Sequence, residues 1–155
     1  MTGGATAIPE VQALLRALAV GRDVAELGAA YGETAALLAE TARSVVTVER
    51  DPKRTAVACR RLAGLANVEL LEGDAYEQLS GRGPFGLVFA DGGRPYDWEA
   101  ILALTEPGGL IVKDDLMPSR PVEGDDVIAV PLAEATAQLK VVPREWYDVA
   151  RAFFG

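Results

Sequence analysis

An open α/β architecture is predicted, with a mostly parallel sheet and helices on both faces. Three features of the sequence predict it. Short apolar or β-branched runs alternate with Ala/Leu-rich helical stretches, the pattern of strands joined by right-handed helical crossovers. The short runs are apolar almost throughout, as strands are when helices cover both faces. Each also ends in or beside a carboxylate: Glu26, Glu49, Asp74, Asp91, and the pair Asp114 and Asp115. Ligands of open parallel sheets bind outside the carboxyl ends of the strands, so this row of acids is hard to ascribe to solubility alone.

The elements follow in order. Pro9 suits a first helical turn, and Val11, Leu14, Leu15 and Leu18 fall at i, i+3, i+4 and i+7 as one stripe. Gly21 stops that helix. Asp23–Leu27 reads as a buried strand, followed by the turn Gly28-Ala29-Ala30-Tyr31-Gly32 and a helix over Glu33–Ala42. Ser44–Glu49 is β-branched and short, hence a strand. Asp51 caps and Pro52 opens the next helix, with Ala56, Cys59, Leu62 and Ala63 as its inner face and Cys59 a small core residue. Val68–Leu71 is a third strand, Tyr76–Leu79 a short helix, and Leu87–Ala90 a fourth strand. Asp97–Leu104 is helical, Pro107-Gly108-Gly109 a turn, and Leu110–Val112 a fifth strand. Beyond Asp115 two registers are open. One places strands at Asp126–Val130 and Thr136–Val142 with a final helix from Pro143. The other, preferred for the alternation within 147–154, places them at Gln138–Val142 and Tyr147–Phe154.

Composition narrows the function. A chain of 155 residues is read as one domain over 1–155. Half the residues are hydrophobic, which excludes a disordered chain. No apolar run reaches the ~18–20 residues that span a bilayer, and Met1-Thr2-Gly3-Gly4 does not resemble the start of a signal peptide. A cytoplasmic protein without a membrane partner is expected. The lone cysteine excludes a disulfide framework or a Cys-rich zinc site. A net charge of −8 disfavours nucleic acid as a partner. There is no histidine, which removes His bases, Ser-His-Asp and Cys-His nucleophiles and His-ligated metals. Acid–base chemistry must then use carboxylates, Lys, Tyr, a metal or water.

The glycine turn presents backbone N–H groups at a helix N-terminus. A dinucleotide site wants G-x-G-x-x-G, but Ala30 and Glu33 stand at its second and third glycine positions. The pattern present is Glu26-x-Gly28-x-Ala30-x-Gly32. A carboxylate inside the strand end faces an ammonium better than a pyrophosphate. Glu49, ending the second strand, can accept from two ribose hydroxyls, and Asp74 suits an adenine amino group. One ligand carries ammonium, ribose and adenine without phosphate: S-adenosylmethionine. Alanine penalises positive φ, so Ala30 is expected to displace the loop slightly.

The segments Val24–Thr34, Val46–Pro52, Glu72–Ala75 and Pro107–Val112 resemble, in order and spacing, the class I S-adenosylmethionine-dependent methyltransferases. The resemblance covers roughly residues 8–118 and implies their Rossmann-like methyltransferase fold, with an antiparallel C-terminal strand added to the mostly parallel sheet. It implies that Glu26 and the backbone of Gly28, Ala30 and Gly32 hold the methionine part, with Thr34 on its carboxylate. Glu49 would bind the ribose, with Arg50 beside it, and Asp74 and Ala75 would lie by the adenine. Within the class the chain is most similar to metal-dependent O-methyltransferases related to catechol O-methyltransferase. That likeness implies Mg²⁺ on Asp91, Asp114 and Asp115, although Asp115 stands where the family has Asn. Asp91 and Arg94 are the candidate catalytic residues. Arg94 stands where the family often has a base lysine; arginine stays protonated, so its expected role is to clamp a substrate anion. Trp98 and Trp146 read as packing residues, and Tyr31 and Tyr96 as candidate site walls. Only one helix fits before Asp23, where catechol-type enzymes carry several. An open substrate site and a homodimer are therefore expected. The implied activity is O-methylation of a small-molecule acceptor; the alternative is a non-catalytic S-adenosylmethionine-binding subunit or sensor.

Overall fold

The computed structural model describes residues 9–91, 97–113 and 140–143. In chain order the elements are α1 (Pro9–Ala19), β1 (Asp23–Leu27), α2 (Glu33–Ala39), β2 (Ser44–Glu49), α3 (Pro52–Leu62) and β3 (Val68–Glu72). They continue with α4 (Ala75–Leu79), β4 (Phe85–Ala90), α5 (Trp98–Leu104), β5 (Thr105–Lys113) and β6 (Lys140–Pro143). The sheet runs β3-β2-β1-β4-β5-β6. The first five strands are parallel and β6 pairs antiparallel with β5. The predicted α/β class, with its antiparallel C-terminal strand, is the one observed.

Side-chain alternation along each strand sorts the core into two layers. Val24, Val45, Leu87, Phe89 and Val112 pack with Val11 and Leu15 of α1, Ala35 and Leu38 of α2, and Ala58 and Leu62 of α3. On the other face Ala25, Leu27, Val48, Val88, Ala90 and Ile111 pack with Leu79 of α4 and Ile101 and Leu104 of α5. The edge strand β3 is only partly covered along its length.

β1 and β2 have the bounds read from the sequence, and Asp51 and Pro52 cap and open α3 as expected. Other elements differ. In α1 the buried line is Val11, Leu15 and Ala19, while Leu14 is exposed. α2 ends at Ala39 rather than Ala42, because the N–H groups of Glu40 and Thr41 turn back to Leu37 and Leu38. The inner face of α3 is Ala58 and Leu62; Cys59, with Ala56 and Ala63, faces solvent. The helix turns Ala58 and Leu62 inward, where Gly32 of the glycine turn packs directly against them. Pro107-Gly108-Gly109 lies inside β5 rather than before it. Phe85 pairs with Thr105 and Leu87 with Leu110, so the extra residues of β5 form a bulge. A Cβ on Gly109 would lie 2.8 Å from the Glu106 carbonyl, so the bulge closes only around glycine. β6 overlaps the strand that both registers end at Val142; Asp126–Val130 and Tyr147–Phe154 lie outside the described residues. Among the described residues no helix is long and apolar enough to cross a membrane.

Gly32 joins this packing to the turn. It is the N-cap of α2 at φ 78, and a Cβ there would lie 3.2 Å from Ala58 Cα, Ala58 Cβ and Leu62 Cγ. Left-handed backbone costs a non-glycine residue about 1–2 kcal/mol, and the crowding against α3 adds to that. Gly32→Ala is expected to lower unfolding free energy by about 1–3 kcal/mol in urea denaturation. An unchanged midpoint would contradict the packing described.

Candidate functional site

Strand order reverses between β1 and β4, since β2 follows β1 on one side and β4 lies on the other. That is the topological switch point where open α/β sheets bind ligands. The turn Gly28–Gly32 leaves β1 at this point. Gly28 N and Ala29 N both donate to the Val48 carbonyl, at 3.0 and 2.8 Å, and Asp91 N donates to the Leu27 carbonyl at 3.1 Å. Gly28 is at φ 104 and Ala30 at φ 46. The loop therefore accommodates Ala30 by adopting the left-handed conformation that alanine disfavours.

Glu49 holds it there. Its Oε2 accepts from Ala30 N at 2.7 Å and its Oε1 from Asp51 N at 2.8 Å. One buried carboxylate thus ties the glycine turn to the start of α3. Two residues of α3 clamp the same turn. Arg61 donates to the Tyr31 carbonyl at 3.0 Å and pairs with Glu33 at 2.7 Å. The Arg54 guanidinium lies 5.9 Å from the Tyr31 ring centroid. These clamps were not legible in the sequence, because they join residues far apart along the chain; Arg61 and Tyr31 are 30 positions apart.

Three carboxylates share one face of three adjacent strands. Glu26 continues the face of Val24, Glu49 that of Val45 and Thr47, and Asp91 that of Leu87 and Phe89. Glu26 lies opposite Thr47 and Phe89, one step deeper than the other two acids. It is wholly buried; Thr47 donates its hydroxyl to Oε2, and Oε1 has no hydrogen-bond partner among the described residues. Burial pushes the Glu26 carboxyl up to about 8. The Thr47 hydroxyl opposes the shift, and the charges of Asp91 and Glu49 add to it.

The remaining expected residues are placed as follows. Thr34 is buried in the first turn of α2, and Arg50 is exposed just past β2. Asp74 caps α4, its Oδ1 accepting from Tyr76 N at 3.0 Å and Glu77 N at 3.3 Å, which leaves Oδ2 outside the cap. Ala75 is the first residue of α4. Gly73 N donates to the Glu49 carbonyl at 3.0 Å, so Asp74 sits beside the Glu49 end of the site. Arg94, Tyr96, Asp114, Asp115 and Trp146 lie outside the described residues. Of the three acids expected to hold Mg²⁺, only Asp91 is described. No group of three metal-competent side chains occurs among the described residues. Lys113, to which the sequence reading gave no role, is buried at the end of β5, beside Ala90, with its ammonium 5.4 Å from the Trp98 ring centroid. Trp98 packs against the core as expected.

The buried acid makes stability depend on pH. Its ordinary value is 4.5 and its folded value about 8. The native state then holds a proton that the unfolded chain releases, so this contribution is complete below about 4.5 and is lost as pH rises through about 8. Denaturation of the ligand-free protein between pH 5 and 9 should show stability falling with pH, and Glu26→Gln should flatten that fall. Parallel profiles for the two proteins would contradict the burial of an ionisable carboxyl.

Comparison with known proteins agrees with this geometry. A family described as a methyltransferase domain matches residues 25–116, from β1 through β5. Over 97 residues the chain is 34% identical to the protein-L-isoaspartate O-methyltransferase of Rhodopseudomonas palustris, covering 61% of this chain and 45% of that protein. The namesake from Pyrococcus horikoshii is 30% identical over 95 residues, 59% of this chain and 43% of its own length. The chain thus spans less than half the length of these curated relatives. Among solved structures, the O-methyltransferase from Bacillus cereus in complex with SAH is 25% identical with a TM-score of 0.64, over 72% of this chain and 58% of that one. The family match takes in the whole β1–β5 core around the glycine turn, and the chain belongs to the methyltransferase-domain family of class I S-adenosylmethionine-dependent methyltransferases.

Proposed function

We propose that the chain binds S-adenosylmethionine at the β1–β4 switch point and transfers its methyl group to an oxygen of a small-molecule acceptor. The observation that carries this reading is Glu26 Oε1, a buried carboxyl oxygen at the foot of the glycine turn that has no hydrogen-bond partner among the described residues. An unsatisfied buried acceptor is costly, and a ligand ammonium is the group that would satisfy it. The rest of the site fits the same ligand. Each Glu49 oxygen accepts one backbone N–H and keeps acceptor capacity for a ribose hydroxyl. Asp74 Oδ2, free of the cap, can accept from an adenine amino group. Gly28 allows close backbone approach, and Thr34 stands in the helical turn that would meet the ligand's carboxylate.

S-adenosylmethionine supplies an electrophilic methyl group on a sulfonium, a leaving group that needs no protonation. The chain's work is then positioning and handling of the acceptor. Asp91, at the end of β4, is the carboxylate suited to take a proton from an acceptor hydroxyl. Arg94 cannot take a proton but can hold an anionic acceptor. The protein-L-isoaspartate O-methyltransferases and the Bacillus cereus O-methyltransferase among the relatives support oxygen as the atom methylated.

Calorimetric titration tests the reading. S-adenosylhomocysteine should bind and NAD should not. Glu49→Ala should weaken S-adenosylhomocysteine binding by about 1.5–3 kcal/mol, since it removes a charged acceptor and also releases Ala30 N. Gly28→Val should abolish binding. If both variants bind like the parent protein, the site lies elsewhere; if binding is intact but no acceptor is methylated, the non-catalytic binding module replaces the enzyme.

A further inference from the structure

The surroundings of Glu26 pose a problem that the cofactor reading alone does not answer. Among the described residues, the charged groups that act on it are Glu49 from β2 and Asp91 from the end of β4, both carboxylates. Its neighbour on β4 is Phe89, and α1–α3 cover this face with apolar residues such as Leu15, Ala35 and Leu38. Among the described residues one hydroxyl, that of Thr47, donates to Oε2, and Oε1 has no partner. A full negative charge is poorly supported there, yet an ammonium ligand needs one.

Building on the proposed cofactor site, we propose that ligand binding here is proton-linked: Glu26 gives up its proton to solvent as Oε1 receives the ligand's ammonium. The balance is simple. The carboxyl O–H bond breaks, its proton passes to buffer, and the carboxylate pairs with an amine that is already protonated. No other bond forms or breaks, and one proton leaves per ligand bound. Burial, which holds the Glu26 carboxyl at about 8, sets the range in which this release is nearly complete, at and below neutral pH. It follows that affinity rises with pH, by up to about tenfold per pH unit over that range. It also follows that the site selects for ligands that carry the ammonium, since a deaminated ligand leaves the carboxyl protonated and releases nothing.

Titration calorimetry of the whole chain with S-adenosylhomocysteine at pH 6.5, in two buffers of different ionisation enthalpy, counts the protons. Nearly one proton should be released per ligand, and affinity should rise by about tenfold between pH 6 and 7. Glu26→Gln should bind more weakly, with the same heat in both buffers and no such pH dependence. Tight binding by the parent protein with no buffer dependence would overturn the inference while leaving the cofactor reading in place. So would a Glu26→Gln protein that still releases the proton. No binding of S-adenosylhomocysteine at any pH would overturn both. If Glu26→Gln does not fold, the parent protein's proton count decides by itself.

Discussion

The burial of Glu26 between Thr47, Glu49 and Asp91 sets the terms for the structure around it. A valine at this position would continue the face of Val24 and favour folding more, because a buried ionisable group gains little from its surroundings. The acid brings a desolvation cost that its single hydroxyl donor does not cancel. It also makes the inner end of the site a place where charge arrives only with a partner. In the proposed site the other features at this end of the sheet would receive a ligand at that point or hold the loop above it.

Glu49 links the two tasks. Its carboxylate is placed by the same side-chain parity that places Glu26 two residues from Val24, and it is held by Ala30 N and Asp51 N. The Ala30 contact sustains a left-handed alanine that costs about 1–2 kcal/mol on its own. Arg61 and Arg54 add further restraint from α3 through Tyr31. A loop held from three directions is preorganised, so less ordering entropy is lost when a ligand docks against its amides.

Much of this was legible in the sequence where one local rule dominates. β1 and β2 are short apolar runs between glycine and proline punctuation, and their bounds were read correctly. Asp51-Pro52 carries its own capping chemistry. The row of acids at strand ends placed Glu26, Glu49 and Asp91 at one site, because parallel strands in register bring their carboxyl ends together. Reading failed where distant contacts decide. The inner face of α3 is Ala58 and Leu62, with Cys59 in solvent, because close packing against Gly32, far earlier in the chain, and not apolar spacing alone, orients the helix. Pro107-Gly108-Gly109 looked like a turn because nothing local shows that β4 pairs on either side of a bulge. Thr47 read as one strand residue among several, and only register shows that it donates to Glu26. Lys113 was passed over beside the more conspicuous Asp114 and Asp115, although a lysine ending a buried strand was visible as an anomaly.

The central claim is that the Glu26 carboxylate and a ligand ammonium recognise one another. A double-mutant cycle measures that pairing directly: affinities of the parent protein and Glu26→Gln for S-adenosylhomocysteine and for its deaminated analogue, at pH 7.5. The account predicts a coupling energy of about 1.5–3 kcal/mol, the range for a hydrogen bond to a charged group. The parent protein should lose affinity on deamination, and the variant should lose little. Equal losses in the two proteins, with coupling near zero, would place the ammonium elsewhere and contradict the account.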